Sequence, residues 1–290
     1  MNGEESIAHA TARGAYGALA DRLNRFPQGA PPSDLLYRIL SLLFTEREAG
    51  LVARLPIRPV TARRAARIWG MGEAEARTVL DGLASRAILL DMEGPNGTLY
   101  ILPPPMAGFF EFSMMRVRDD IDQHLLAELF WQYVTVEDDF IVSLFTHGET
   151  QLGRVFVNEP ALTDARPAAG TRATRMQVLD YERASEVIGT AQHMGVGVCY
   201  CRHKAEHVGK ACKAPMNICM TFGGTADALI RHGYARRVEK AEGMDLLEEA
   251  YESRLVQFGE NVQRDVAFIC NCCGCCCEAM IAQRRFGSMD

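Results

Sequence analysis

Residues 60–102, VTARRAARIWGMGEAEARTVLDGLASRAILLDMEGPNGTLYIL, decide the fold expectation. VTARRAARIW (60–69) and EAEARTVLDGLASRAILL (73–90) place apolar residues at helical spacing on either side of the turn Gly70-Met71-Gly72. The second segment runs on into a short apolar strand. Gly94-Pro95-Asn96-Gly97 is a strong hairpin signal, and TLYIL (98–102) supplies the returning strand. Upstream, DLLYRILSLLF (34–44) reads as a helix closed by the polar, glycine-ended stretch 45–50. Helix, helix, helix, hairpin is the order of a winged helix.

Downstream, Pro103-Pro104-Pro105 closes that module. Residues 109–146 then follow helical periodicity, with Ile121, Leu125 and Leu129 on one face and Leu126, Phe130 and Tyr133 beside them. EPALTDARPAAGTRATR (159–175) loses periodicity and collects Pro160, Pro167 and Gly170, which marks a linker. Beyond it the sequence predicts a helix from Tyr181 to about His193 and another from Thr225 that Gly233 caps. A helix over MDLLEEAYESRL (244–255) and a short strand VAFIC (266–270) follow. The expected architecture is mainly α with small β elements. A winged-helix and helical domain spans 1–158, a linker 159–176, and a helical, cysteine-rich cluster domain 177–290.

A chain of 290 residues has room for two ordinary cores, and a composition of 48% hydrophobic and 23% charged residues is that of a globular protein. No apolar run reaches transmembrane length, and the N-terminus MNGEESIAHATARG has acidic residues and no apolar signal core. The expectation is a cytoplasmic protein without a membrane span. A net charge of −6 argues against a generally basic nucleic-acid coat. Between Cys199 and Cys219, however, Arg202, Lys204, Lys210 and Lys213 face a single acid, Glu206.

All ten cysteines lie after residue 198, which excludes a disulfide scaffold spread through the chain. Cys199, Cys201, Cys212 and Cys219 form C-x-C-x10-C-x6-C, and four thiolates are what a [4Fe–4S] cubane requires. Cys270, Cys272, Cys273, Cys275, Cys276 and Cys277 lie in ICNCCGCCC, where a C-x2-C relation occurs three times (270/273, 272/275, 273/276). Six thiols in eight positions cannot all converge on one metal, so they face two centres or some are spectators. Gly274 lets the backbone wrap a bulky inorganic core. A thiolate-ligated cluster is anionic, and Arg202, Lys204, Lys210 and Lys213 would offset its charge. Structural zinc is the competing reading, favoured by paired C-x2-4-C knuckles but exceeded by ten cysteines. His203 and His207 are more simply solvated than ligating, and Met194, Met216 and Met220 fill core space.

The segment VGVCYCRHKAEHVGKACKAPMNICMTFG followed by ICNCCGCCC resembles a family of 4Fe-4S-binding ferredoxin-like proteins of anaerobic bacteria and archaea. The likeness extends to ILPPPMAGFFEFSMM (101–115). The resemblance implies one or two 4Fe-4S clusters and single-electron transfer to or from a larger redox protein. Family members commonly continue into a ferredoxin module with two C-x2-C-x2-C-x3-C runs. This sequence ends without one, as a shorter member or a chain cut before it. Cys272-Cys273-Gly274 also looks like the CCG signature of heterodisulfide-reductase subunits, although the remaining spacing differs.

Two other functions compete with electron transfer. The first is a cluster-based redox sensor whose winged helix binds DNA. Against it, Glu73, Glu75 and Asp81 offset Arg77 and Arg86 on the would-be recognition helix, while Arg63, Arg64 and Arg67 support it. The second is an enzyme acting at a cluster with an open coordination position. No nucleotide loop, triad or flavin fingerprint is visible, so an oxidoreductase component is expected rather than a stand-alone enzyme.

Overall fold

The computed structural model describes residues 4–95, 97–146, 153–162 and 178–286. Helix α1 (Glu4–Leu23) leads to α2 (Asp34–Leu43), whose N-terminus is capped by Ser33, and to α3 (Glu46–Val52). Thr45 opens α3 with a reciprocal capping box to Glu48, the arrangement that satisfies two orphan N–H groups at once. A short strand β1 (Val60–Thr61) precedes α4 (Ala62–Trp69), which Gly70 ends in a left-handed conformation at φ 71° that favours glycine. Helix α5 (Glu73–Ser85) feeds the hairpin β2 (Leu90–Gly94) and β3 (Gly97–Ile101), and the first sheet has the order β1-β3-β2, all antiparallel.

After an irregular loop, α6 (Phe110–Ser113), α7 (Gln123–Phe130) and α8 (Asp138–Thr146) complete this half. The main core gathers here, with Phe109, Phe110, Phe130 and Phe140 stacked edge-on or tilted at centroid separations of 4.9–6.1 Å. Tyr200, Leu229, Tyr234 and Ala282 from the second half belong to the same core.

The second half is built on a sheet. Strands β4 (Gly153–Val155), β5 (Met194–Val198), β6 (Asn217–Phe222), β7 (Arg236–Arg237), β8 (Val256–Glu260) and β9 (Phe268–Cys272) pair antiparallel in the order β4-β8-β9-β6-β5-β7. Around them run α9 (Ala184–Thr190), α10 (Tyr200–His207), α11 (Gly223–Arg231), α12 (Lys240–Glu252) and α13 (Glu278–Phe286). A second apolar cluster containing Ile188, Val196, Phe222, Leu247 and Ile269 fills the space between this sheet and α9 and α12.

The expectation of a mainly α fold made of a winged-helix module and a helical cluster domain is therefore corrected: the chain is mixed α/β, with sheets of three and six strands. The reason is local. MGVGV, NICMTF and VQFGE are short runs without helical length, and pairing in a central sheet satisfies their backbone where propensity alone gives no decision. The helix expected over 181–193 is confined to Ala184–Thr190, and the strand expected at 266–270 is displaced to Phe268–Cys272. Strand β4, from before the expected linker, joins the second sheet through β8. Residues 163–176 of that linker lie outside the described residues. No helix among the described residues is long and apolar enough to cross a membrane.

Candidate metal centre

The sheet positions the cysteines. In β9 the pleat turns Ile269 and Asn271 to one face and Cys270 and Cys272 to the other, because side chains alternate along a strand. Strand β8 sets Phe258 opposite Cys270 and Val256 opposite Cys272. Strand β6 brings Cys219, paired with Gly197 of β5. A Cβ at residue 197 would lie 2.7 Å from Met115 and 2.8 Å from the Tyr234 carbonyl, so this approach requires glycine. Cys199 caps α10, Cys201 lies in its first turn, and Cys277 immediately precedes α13.

Six of the ten thiols close a ring. Cys199 interacts with Cys201 and Cys219, Cys219 with Cys270, Cys270 with Cys272, Cys272 with Cys277, and Cys277 with Cys201. All six, together with Cys273, line a cavity of about 470 Å³. Thiol–thiol interaction pulls Cys199 and Cys277 well below the ordinary thiol range and Cys270 down to about 6, while Cys201, Cys219 and Cys272 are pushed up. The alternation has a simple cause: six sulfurs crowded together without a cationic core cannot all ionise, so neighbours share protons.

The other four thiols form a compact quartet. Cys212, Cys273, Cys275 and Cys276 have sulfurs within 4.8 Å of one another, with Cys212 and Cys273 at 3.7 Å and Cys275 and Cys276 at 3.6 Å. This group can hold a metal ion. A tetrahedral ion with metal–sulfur bonds of about 2.3 Å requires sulfur separations of about 3.8 Å, close to those seen. A cubane instead sets its thiolates outward on four separate irons, further apart. Cys275 is exposed and Cys273 and Cys276 are buried, so the quartet reaches the surface at one corner.

The cysteines thus meet as six and four, and the division cuts across both groups seen in the sequence. Cys212 leaves Cys199, Cys201 and Cys219 to join Cys273, Cys275 and Cys276, while Cys270, Cys272 and Cys277 join the first three.

The four basic residues take different places. Arg202 is buried and donates through both terminal nitrogens to the Asn271 carbonyl at 3.2 Å, and its charge is felt at Cys199, Cys273 and Cys219. It therefore stands between the two centres. Its Nε has no hydrogen-bond partner, an orphan donor beside the thiols. Lys204 pairs instead with buried Glu278 and donates to Thr135 at 3.2 Å. The Lys210 ammonium lies 4.1 Å from the centre of the Trp131 ring, and the Lys210 carbonyl accepts from Cys276 at 3.9 Å. Lys213 is exposed. His203 Nδ1–H donates to the Met114 carbonyl at 2.7 Å, and His207 stands 3.2 Å from the other nitrogen of His203.

Two residues not singled out in the sequence belong to the site. Glu278 lines the cavity and is raised by burial, which outweighs the Lys204 charge; its Oε1 accepts from Tyr200 at 3.0 Å and its Oε2 has no partner. Glu111 also lines the cavity, and burial pushes it up to about 8 even though the Ala107 and Gly108 amides donate to it at 2.7 and 3.0 Å. Glu278 could have been read from its place next to Cys277, but nothing in the sequence marks Glu111. No family model, curated protein or solved structure matches the chain.

Proposed function

We propose that this is an iron–sulfur electron-transfer protein. In this reading the ring of Cys199, Cys201, Cys219, Cys270, Cys272 and Cys277 holds a 4Fe-4S-type cluster, and Cys212, Cys273, Cys275 and Cys276 hold a single tetrahedral ion. The observation that carries the reading is the ring of six thiols lining one cavity, three of them buried (Cys199, Cys272, Cys277) and three half-buried (Cys201, Cys219, Cys270). So many sulfurs can be ionised together out of water only around a cationic core, and six exceed what one zinc ion takes. The orphan Nε of Arg202 fits the same assignment, since an anionic cluster would accept from it.

A cluster at this position supplies one-electron exchange. The residues around it fix the thiols on β6, β9, α10 and the approach to α13, and offset negative charge through Arg202. The redox partner is expected on the side of exposed Cys275. There Lys210, Lys213 and Arg284, which donates to the Gly274 carbonyl at 2.6 Å, give a basic surface suited to an acidic protein.

The test is anaerobic purification with iron, acid-labile sulfide and zinc counted per chain, and electron paramagnetic resonance before and after dithionite. The expected result is about four iron and about four sulfide with one further ion of iron or zinc. About eight of each would place a cluster in the quartet as well. Zinc without sulfide would overturn the proposal.

A further inference from the structure

The cavity is larger than its thiol end. Its volume of about 470 Å³ lies within the range of small-molecule sites, roughly 300–1,000 Å³. Much of the rest of its wall is apolar, and a large part of that comes from the other half of the fold: Met92 on β2, Ile101 on β3, and Met106 and Phe112 from the loop and helix that follow. Phe268 of β9 faces them. Flexible thioethers and flat rings of this kind accept an apolar, planar guest.

Several polar groups of the cavity are engaged elsewhere. Arg202 serves Asn271 and the thiols, Glu278 is tied to Lys204 and Tyr200, and Glu260 accepts from the Ala267 amide at 2.7 Å. Glu111 differs. It is gripped by the backbone N–H groups of Ala107 and Gly108 rather than by a cation, on a loop where Ala107 holds φ 53°, a conformation that costs energy in a residue with a side chain. Glu278 from α13 is the one ionisable group whose charge adds to the elevation of Glu111, with Lys204 and Tyr200 of α10 behind it. A carboxyl kept protonated near neutrality donates to an oxygen, and a charged guest would lose its hydration against an apolar wall.

We infer that this cavity binds an uncharged, mostly apolar carbonyl compound, its body between Ile101, Met92 and Phe268 and its oxygen at Glu111, beside the six-thiol ring. The inference deepens the proposed function and rests on the ring being filled by a cluster in the working protein, which leaves the apolar part of the cavity for a guest.

The probe is prodan, a neutral naphthyl ketone that does not alkylate thiols and whose emission moves to the blue in apolar surroundings. Anaerobic titration of the loaded protein is followed by emission and by calorimetry. The expected result is saturable binding of one molecule per chain. Ile101→Trp and Met92→Trp, which fill the cavity from two strands, should each weaken it at least about tenfold, and Glu111→Leu should weaken it about fivefold through the lost hydrogen bond. Unchanged metal content and melting temperature certify the variants. No saturable binding overturns the inference, as does binding that ignores both tryptophans. Binding confined to metal-free protein also overturns it, because the cavity is then only the room of the cluster. Absence of iron and sulfide would sink the proposed function by the separate metal count, whatever prodan does.

Discussion

Cys272 and Cys273 are consecutive in the chain, yet their sulfurs belong to different groups: Cys272 faces Cys270 and Cys277 in the ring of six, and Cys273 lies 3.7 Å from Cys212 in the quartet. Strand β9 ends at Cys272, so the pleat fixes one sulfur and the following turn frees the next. The same split occurs between Cys276 and Cys277 at the start of α13.

Serine substitution at the two neighbours should therefore separate the centres. Cys272→Ser is expected to lower iron and sulfide, or to alter the cluster signal, while the further ion stays. Cys273→Ser should lose that ion and keep the cluster signal. Metal analysis with electron paramagnetic resonance on both variants reads the difference, and equal loss of everything from both would mean one joint centre.

Arg202 offers a second test, because its charge reaches thiols of both centres. Removing it in Arg202→Met should make the cluster potential more negative by tens of millivolts, on the order of what one nearby charge does to a cluster. Arg202→Lys should recover part of the shift. Redox titration followed by optical absorbance measures it; an unchanged potential in Arg202→Met would place the cluster away from this side chain.

Lys204 was expected to offset cluster charge, and the structure ties it to Glu278 with both side chains buried. Breaking such a pair strands a charge, so Lys204→Met should cost about 3–5 kcal/mol of stability. The double variant Lys204→Met, Glu278→Gln should regain much of the loss, since no unpaired charge remains. Urea unfolding at constant metal load checks the pair; equal losses in single and double variants would show that packing, not charge, is at stake.

The confinement of ten thiols to the last third of the chain was legible from the sequence, and the structure draws four of them into a group that can hold a metal ion. Their partition was not legible. Which of two adjacent cysteines faces which centre depends on where β9 stops, and Cys212 reaches the quartet only through the fold that sets residues 212 and 273 together. The helices 34–43 and 73–85 were readable because their apolar stripes are long enough to declare a period. MGVGV and NICMTF were not, since short runs next to cysteines carry no decisive period and become strands by pairing with each other. Lys204 and Glu278 stand 74 residues apart, and no local pattern announces that contact.

Glu111 gives the stability of the protein a pH dependence whose sign is fixed. Burial lifts its carboxyl from an ordinary 4.5 to about 8, so between those values the folded chain holds a proton that the unfolded chain has released. The stabilisation is complete below the unfolded value, declines as pH rises toward 8, and is gone above it. Wild type should thus lose stability relative to Glu111→Gln from pH 6 to 8, with a slope of up to about 1.4 kcal/mol per pH unit, and run parallel to it beyond. Glu278 is raised as well and contributes with the same sign in both proteins, and its coupling to Glu111 is part of the difference read. Chemical denaturation of the loaded proteins at intervals from pH 6 to 9 gives the curve. A constant difference across that range would mean that Glu111 is already ionised at pH 6, held as an anion by the Ala107 and Gly108 amides, and its hydrogen bond to a carbonyl guest would go with it.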